Sequence, residues 1–130
     1  MFIDTSGFLC RNSDSEPYHQ KAAEYYNSAK TRITTNYVLA EYVALALVRG
    51  LRRESITVFS EEILRDGTVE IVWVDEELHT KAVELLKERY DKKYSLCDAV
   101  SFALMREREI SEALTTDKHF KQEGFIRLLE

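Results

Sequence analysis

The sequence predicts an α/β fold in three layers, α/β/α, around a central, mostly parallel sheet of about five short strands. Short β-branched or aromatic runs alternate with longer segments of helical periodicity along the 130 residues. This order is typical of parallel strands joined by crossover helices. One Pro and four Gly leave no room for a long linker, so residues 1–130 are expected to form a single domain.

Five segments have the composition of strands. The first, Met1 to Thr5, contains Asp4 and is followed by a predicted turn at Ser6-Gly7. The others are Thr31 to Thr34, Val69 to Val74, Glu112 to Thr116 and Phe125 to Leu129. Asp4 lies at the end of the first strand, and Asp117 directly follows the fourth. Because binding sites on parallel sheets form beyond the carboxyl ends of the strands, these two acids mark a candidate site.

Five segments are predicted as helices. In the first, Ser15 is expected to cap the helix and Pro17 to lie in its first turn, with the helix continuing through Tyr26. Thr35 or Asn36 is expected to cap the second, which ends near Gly50. The remaining three are Glu54 to Arg65, Glu76 to Arg89, and Ser95 to about Glu109.

Composition limits the possible functions. The net charge of −5 is unfavourable for nucleic-acid binding, which usually uses a basic surface, but divalent ions held by several acids would cancel part of it. No apolar run approaches ~20 residues and no signal-peptide pattern begins the sequence, so a cytoplasmic protein with no membrane span is expected. Cys10 and Cys97 match no metal-binding spacing and are predicted to be free thiols.

Two of the four candidate acids follow strands. Asp4 could act at a functional site or could cap the turn into Ser6-Gly7. Asp117 could likewise cap a turn or a short helix. Neither acid is decisive by itself.

The other two candidate acids lie on predicted helices. Glu41 shares a helical stripe with apolar residues at Val38, Tyr42, Leu45 and Val48. A carboxylate beside a buried face is costly unless it is paired or bound to a metal, although a Glu at the edge of the stripe could reach water. Asp98 follows Ser95 by three residues, which is a capping-box pattern. It also lines up with Phe102 and Met105, so a functional role stays equally open.

Other site chemistries find little support. His19, His79 and His119 are scattered, and none has a partner at zinc-ligand spacing. The sequence contains no nucleophile elbow, P-loop or dinucleotide fingerprint. The candidates for phosphate contacts are basic residues that could equally be solvated surface: Arg49, Arg52, Arg53, Lys92, Lys93, Arg106 and Arg108. Four tyrosines could stack on bases or simply pack: Tyr25, Tyr26, Tyr90 and Tyr94.

Four motifs in order resemble a known family along the whole chain. They are Phe2-Ile3-Asp4-Thr5-Ser6, Thr35-Asn36-Tyr37-Val38-Leu39-Ala40-Glu41, Ser95-Leu96-Cys97-Asp98-Ala99-Val100-Ser101-Phe102-Ala103 and Ala113-Leu114-Thr115-Thr116-Asp117-Lys118-His119-Phe120. The sequence is similar to the PIN domain and, within it, to the VapC-type toxins of prokaryotic toxin–antitoxin pairs. It departs from similar proteins at Cys97, where Thr is common.

The resemblance implies an endoribonuclease that requires Mg²⁺ or Mn²⁺. Its acidic ligands would be Asp4, Glu41, Asp98 and Asp117, and its hydroxyl residues near the metal would be Ser6, Thr5 and Thr115. Oxygen ligands of this kind suit Mg²⁺. The resemblance also implies a homodimer that is inhibited by a cognate antitoxin protein.

Several alternatives remain beside the toxin. Within the same family, a housekeeping RNA-processing nuclease is the nearest alternative. A non-catalytic RNA-binding member would be expected to lack some of the acids, and none is missing. A receiver-type signalling domain could use Asp75 as phospho-acceptor, but it needs a pair of acids after the first strand. For the homodimer, the helix from Glu54 to Arg65 supplies an apolar surface of Ile56, Val58, Phe59, Ile63 and Leu64.

Overall fold

The computed structural model describes residues 1–130 and contains one sheet of five parallel strands. The strands are β1 (Phe2–Ile3), β2 (Ile33–Thr35), β3 (Glu70–Val72), β4 (Glu112–Leu114) and β5 (Ile126–Arg127). Their order across the sheet is β3-β2-β1-β4-β5. The predicted α/β class and the five short parallel strands are confirmed. Each strand is shorter than predicted because the chain leaves the sheet within two or three residues.

Seven helices connect and cover the strands. They are α1 (Thr5–Asn12), α2 (His19–Ser28), α3 (Asn36–Val48), α4 (Arg53–Arg65), α5 (Glu76–Glu88), α6 (Leu96–Glu107) and α7 (Lys118–Gln122). The chain first moves from β1 towards the β3 edge and then returns towards β5. Since parallel crossovers are right-handed, this reversal puts α1 to α4 on one face of the sheet and α5 to α7 on the other. Most helix–helix contacts lie within these two groups, and α3 of the first group also contacts α6 of the second.

The reversal creates a crevice between β1 and β4. The two strands are neighbours, with Ile3 opposite Leu114, and the Asp4 amide donates to the Leu114 carbonyl at 3.2 Å. The connections from these two strands run to opposite faces of the sheet. Open α/β sheets bind ligands at such a switch point, outside the carboxyl ends of the strands. Asp4 and Thr115 are the first residues beyond those ends.

Both faces of the sheet pack into one apolar core. Phe2 and Ile3 of the central strand are fully buried, as are Phe8 of α1 and Phe102 of α6. The ring of Phe102 packs edge-on against Phe120, with 4.9 Å between the ring centroids. None of the helices is both long enough and apolar enough to cross a membrane.

Helix α1 was not predicted, and the turn expected at Ser6-Gly7 is wrong. These residues lie in the first turn of α1, which begins directly after Asp4. A Cβ added at Gly7 would lie 2.1 Å from the Leu114 carbonyl oxygen. Gly7 is therefore required by the close approach of helix to strand, and a turn does not explain it. The sequence offers no helical stripe here because α1 is buried on several sides.

The start of α2 also differs from the prediction. The helix begins at His19, and the segment around Pro17 forms turns. The Ser15 hydroxyl bonds to the Ser13 hydroxyl at 2.9 Å instead of capping a helix. By contrast, the predicted cap at Thr35 is confirmed, since its side chain accepts a hydrogen bond from the Val38 amide at 3.2 Å. The short helix α7 was missed as well.

Candidate metal centre

Asp4 is a buried carboxylate with one unpartnered oxygen. It precedes α1, but its side chain makes no capping hydrogen bond, so the structural alternative of a turn cap is wrong. Its Oδ2 accepts a hydrogen bond from the Thr115 hydroxyl at 2.8 Å. Its Oδ1 is buried and has no hydrogen-bond partner. Because buried polar atoms in proteins nearly always have partners, this oxygen points to a ligand.

A network of hydroxyl groups fixes the orientation of Asp4. The Thr115 Oγ1 donates its single proton to ionised Asp4 and accepts from the Asp117 amide at 3.0 Å. The Ser6 hydroxyl lies 3.0 Å from the same Thr115 oxygen and must be the donor there. It also accepts from the Thr116 amide at 3.0 Å. The network therefore joins the start of α1 to the end of β4. Thr5 is buried beside Asp4, and its hydroxyl has no partner.

Asp98 is a capping residue that also lies in a candidate metal-binding cluster. It completes the capping box of α6: its Oδ2 accepts from the Ser95 amide, and the Ser95 hydroxyl accepts from the Asp98 amide, both at 3.0 Å. One oxygen or nitrogen atom from each of Asp98, Asp117 and His119 also lies within 4.8 Å of the others, an arrangement that could hold a metal ion. Capping orients the carboxylate and still leaves its Oδ1 without a hydrogen bond in the protein.

Asp117 caps α7 and faces the same cluster. Its Oδ1 accepts a hydrogen bond from the His119 amide at 2.9 Å. The His119 ring nitrogen Nδ1 lies 3.3 Å from this oxygen and 3.4 Å from Asp98 Oδ2. His119 has no partner at zinc-ligand spacing in the sequence, but the fold brings it beside Asp98 and Asp117. The two-residue spacing between Asp117 and His119 is visible in the sequence. It implies contact between the side chains only if helix α7 is known, and that helix was not predicted.

Glu41 is less buried than Asp4 and Asp98. Val38 and Tyr42 beside it on α3 are buried, but Val48 is 83% exposed, so the predicted apolar stripe ends before Val48. Glu41 itself is half-buried. Its charge helps raise the pKa values of Asp4 and Asp98, which places it within electrostatic reach of both.

Burial and mutual repulsion make these acids costly to ionise without a cation. Burial, followed by the charges of Asp98 and Glu41, raises the pKa of Asp4 from 3.8 to about 7 against the lowering effect of the Thr115 hydrogen bond. Burial and the charges of Asp117 and Glu41 also raise the pKa of Asp98. Like charges that share a site disfavour ionisation. A bound divalent ion would reverse this effect.

Cys97 lies among the same acids. Burial and the charges of Glu41, Asp4 and Asp98 raise the pKa of its thiol, so the thiol stays neutral at ordinary pH. Both Cys97 and the distant Cys10 are free thiols, as predicted.

The structure does not bring the predicted phosphate-binding arginines to the acids. Arg49 lies eight residues beyond Glu41, about 12 Å along α3 at 1.5 Å per residue. It pairs with Glu16 at 2.6 Å, and Arg52 lies 3.5 Å from Glu54. Arg53 begins α4 and is exposed.

Two exposed lysines lie closer to the acids. Tyr94 packs against His119 with ring centroids 5.1 Å apart. Lys93 and Lys118 are the chain neighbours of these two residues, are exposed and form no ion pair. Of the four tyrosines, Tyr26 and Tyr94 are core residues, Tyr25 is half-buried against the core, and Tyr90 is 88% exposed.

A model of the PIN-domain family matches residues 1–125 of the chain. The chain belongs to the PIN-domain family. This PIN domain is 29% identical over 129 residues to the 23S rRNA-specific endonuclease VapC20 of Mycobacterium tuberculosis, a match that covers 98% of the chain and 97% of that protein. It is 30% identical over 87 residues to a VapC ribonuclease of Archaeoglobus fulgidus, covering 66% of the chain and 53% of that protein.

The likeness to VapC20 extends to its fold. The crystal structure of VapC20, described as a sarcin-ricin loop cleaving toxin, matches this PIN domain with a TM-score of 0.89 at 29% identity, over 99% of this chain and 98% of that chain. The predicted resemblance to VapC-type ribonucleases is therefore confirmed. Asp75, the phospho-acceptor of the receiver-type alternative, instead caps α5 by accepting from the Leu78 amide at 2.8 Å.

Proposed function

We propose that this chain is a metal-dependent endoribonuclease, the toxin of a toxin–antitoxin pair, that hydrolyses RNA phosphodiester bonds. The observation that carries the proposal is the set of acids at the switch point between β1 and β4, where Asp4 Oδ1 is buried without a partner and ligand atoms of Asp98 and Asp117 lie within 4.8 Å of each other and of His119. Support also comes from VapC20, an rRNA-specific endonuclease similar to the chain along almost its whole length.

The residues at the switch point fit a divalent cation such as Mg²⁺ or Mn²⁺. All four acids offer carboxylate oxygens, the ligand type that both ions accept. Asp4 Oδ1 is a buried acceptor with no partner in the protein. Burial, with a smaller contribution from the charges of Asp98 and Glu41, raises the pKa of the Asp4 carboxyl group. A cation would satisfy this oxygen and offset the repulsion among the acids.

In this proposal Asp4, Glu41, Asp98 and Asp117 hold the cation. When bound, the cation supplies positive charge that stabilises the transition state of phosphodiester hydrolysis. Thr115 and Ser6 hold Asp4 in one orientation through the hydroxyl network, and buried Thr5 packs beside it. Preorganised carboxylates of this kind need no rearrangement as the reaction proceeds.

The RNA-binding surface requires positive charge close to the acids. Arg49, Arg52 and Arg53 remain candidates for phosphate contacts at the far end of α3. Lys93 and Lys118 are exposed and form no ion pair; Lys118 lies between Asp117 and His119, and Lys93 precedes Tyr94, which packs against His119. Phosphate contacts position a nucleic acid without reading its sequence, so these residues would set affinity more than specificity.

The toxin assignment implies a cognate antitoxin protein, and resemblance to VapC-type proteins also favours a homodimer in the cytoplasm. A gene for a small antitoxin-like protein that overlaps or abuts the gene for this chain would favour the toxin. Its absence would favour the housekeeping RNA-processing nuclease. In both cases the hydrolytic site is the same.

Metal-dependent cleavage is the first prediction. The purified chain is expected to cut RNA in Mg²⁺ or Mn²⁺ and to stop in EDTA, since the acids cannot stabilise negative charge without a cation. Ribosomal RNA is the first substrate to try, with cleavage followed by primer extension. Asp4→Asn is expected to lower the cleavage rate by at least about 100-fold.

The matched control is Asp14→Asn, because Asp14 is an exposed acid away from the crevice. It should cleave at the parent rate. Equal cleavage by the parent in EDTA and by Asp4→Asn in metal would show that the activity belongs to a contaminant and would remove the proposal.

A further inference from the structure

His119 presents an unpartnered ring nitrogen to two carboxylates. Its Nδ1 is buried and makes no hydrogen bond, although Asp117 Oδ1 lies at 3.3 Å and Asp98 Oδ2 at 3.4 Å. The ring is fixed by Tyr94, whose centroid lies 5.1 Å away in an edge-on arrangement. A histidine that served only to pair with these acids would be expected to donate a hydrogen bond to one of them at about 2.7–2.9 Å.

The distances instead suit ligands of a common ion. Two adjacent ligands of an octahedral ion, each ~2.1 Å from it, lie about 3.0 Å apart. The two nitrogen–oxygen separations are only slightly longer. The three ligand atoms of Asp98, Asp117 and His119 all lie within 4.8 Å of one another, so small side-chain movements would bring them to a single ion.

The carboxylates have oxygens to spare for this role. Asp98 Oδ2 and Asp117 Oδ1, the oxygens nearest to His119 Nδ1, each accept one backbone hydrogen bond and keep a second lone pair for an ion. The other oxygen of each carboxylate accepts no hydrogen bond within the protein. Asp4, whose side chain is electrostatically coupled to Asp98, is 4% exposed and has a buried unpartnered Oδ1. This independent observation also points to a ligand in the crevice.

We propose that His119 Nδ1 is a metal ligand that, with Asp98 and Asp117, gives the site a preference for Mn²⁺ and similar transition-metal ions over Mg²⁺. The inference deepens the metal-dependent function proposed above and rests on it. Imidazole nitrogen is a better ligand for transition metals than for Mg²⁺, which prefers six oxygens. An all-carboxylate site would lack this discrimination.

The test is the binding of Mn²⁺ alone to the full chain, without RNA. Pulsed electron paramagnetic resonance of the bound Mn²⁺ should show modulation from a directly coordinated ¹⁴N nucleus, which His119→Gln should abolish. Calorimetric titration should show that His119→Gln weakens Mn²⁺ binding by at least about tenfold and Mg²⁺ binding by less than about threefold. His19→Gln is the matched control, because His19 bonds to the Cys10 carbonyl at 2.9 Å near the far end of α1.

Two results would overturn the inference. The first is bound Mn²⁺ with no nitrogen modulation in the parent, a measurement that does not depend on the folding of any variant. The second is equal weakening of Mn²⁺ and Mg²⁺ binding in His119→Gln. Either result would leave RNA cleavage by the parent intact. If the proposed nuclease function were wrong and the inference about His119 right, the parent would bind Mn²⁺ through nitrogen but would not cleave RNA.

Discussion

At the scale of single residues, Asp4 makes the stability of the metal-free protein depend on pH. Burial and neighbouring charges raise the pKa of its carboxyl group from 3.8 to about 7. A folded-state pKa above the unfolded value means that the folded state binds the proton more tightly. The resulting stability is fully present below about pH 3.8 and is lost as pH rises through about 7.

Asp4→Asn should remove this dependence. As the pH rises from 4 to 8 in EDTA, the free energy of unfolding of the parent should fall relative to that of Asp4→Asn. The relative loss should be on the order of 4 kcal/mol, which is about three pKa units at 1.36 kcal/mol each. Urea unfolding at several pH values measures the difference, with Asp14→Asn as the exposed control. A difference that stays constant over this range would contradict the buried, repelled carboxyl group described here.

The capping role and the proposed metal-binding role of Asp98 can be separated by comparing the variants Asp98→Asn and Ser95→Ala. Asp98→Asn keeps an oxygen that can accept from the Ser95 amide but removes the charge repelled by Asp117 and Glu41. In EDTA it should melt at the parent temperature or higher, and Mn²⁺ should raise its melting temperature less, since ligand stabilisation follows affinity for the folded state. Ser95→Ala should lower stability by about 1 kcal/mol and keep the full metal response.

The measurement is a set of melting curves for the parent and both variants in EDTA and in excess Mn²⁺. An Asp98→Asn protein that melts lower in EDTA yet keeps the full metal-induced rise would assign Asp98 to capping alone.

At the scale of elements, the buried carboxylate of Glu123 and two partly exposed arginines hold together the segments beside the acids. Glu123 follows α7, and only 3% of its side chain is exposed. It accepts from Arg89, at the end of α5, at 2.9 Å and forms a short contact with Arg106 of α6. Burial raises the pKa of Glu123, but the two arginines outweigh this effect and the net pKa is lowered. The group therefore fixes the loop that carries Lys93 and the helix that carries Lys118.

Because the loop with Lys93 and the helix with Lys118 are held in place beside the acids, we expect these two lysines to bind RNA. Lys93→Ala combined with Lys118→Ala should weaken RNA binding in EDTA and reduce the slope of log affinity against log salt by about 0.7 for each lost phosphate contact with a single strand. The matched control, Arg52→Ala with Arg53→Ala, removes the same charge at the far end of α3 and should have a smaller effect. Fluorescence anisotropy at several salt concentrations measures both. The opposite ranking would favour the arginines indicated by the sequence.

The sequence predicts elements well where local chemistry and packing agree. The caps at Thr35 and Ser95 and the β-branched strands are of this kind, because each depends on neighbours within a few residues. Helix α1 depends on the approach of Gly7 to Leu114, more than a hundred positions away, which no local pattern contains. For the same reason, sequence patterns identify each candidate acid separately. They do not show that His119 lies next to Asp98, because that contact forms only in the folded protein.

At the scale of the whole molecule, α3 and α4 each leave apolar side chains exposed to solvent. Within the surface predicted for self-association, Ile56 and Ile63 are buried and Phe59 packs against the core, so less apolar area is available than expected. Val58 and Leu64 remain more than half exposed, and Val48 of the adjacent helix α3 is 83% exposed. Exposed apolar groups on neighbouring elements favour association with another surface.

A homodimer through this surface is the corresponding prediction. The parent should have a mass near twice 15.2 kDa by light scattering at micromolar concentration. Val48→Glu with Leu64→Glu should give a folded monomer, because neither side chain belongs to the core. Ile126→Glu, which changes an exposed apolar residue of β5, should leave the dimer intact. A monomeric parent would contradict the prediction.

The hydroxyl network between Ser6, Thr115 and Asp4 has a consequence for the timing of synthesis. Its two halves are more than a hundred positions apart in the chain, and β1 cannot pair with β4 until β4 has emerged from the ribosome. Until then Asp4 lacks the donor that orients it, and Asp117 is not yet translated or not yet in place. A nascent chain therefore has no assembled centre until β4 and Asp117 have emerged, and the ribosome that makes this proposed RNA-cutting protein is not exposed to an assembled centre before that point.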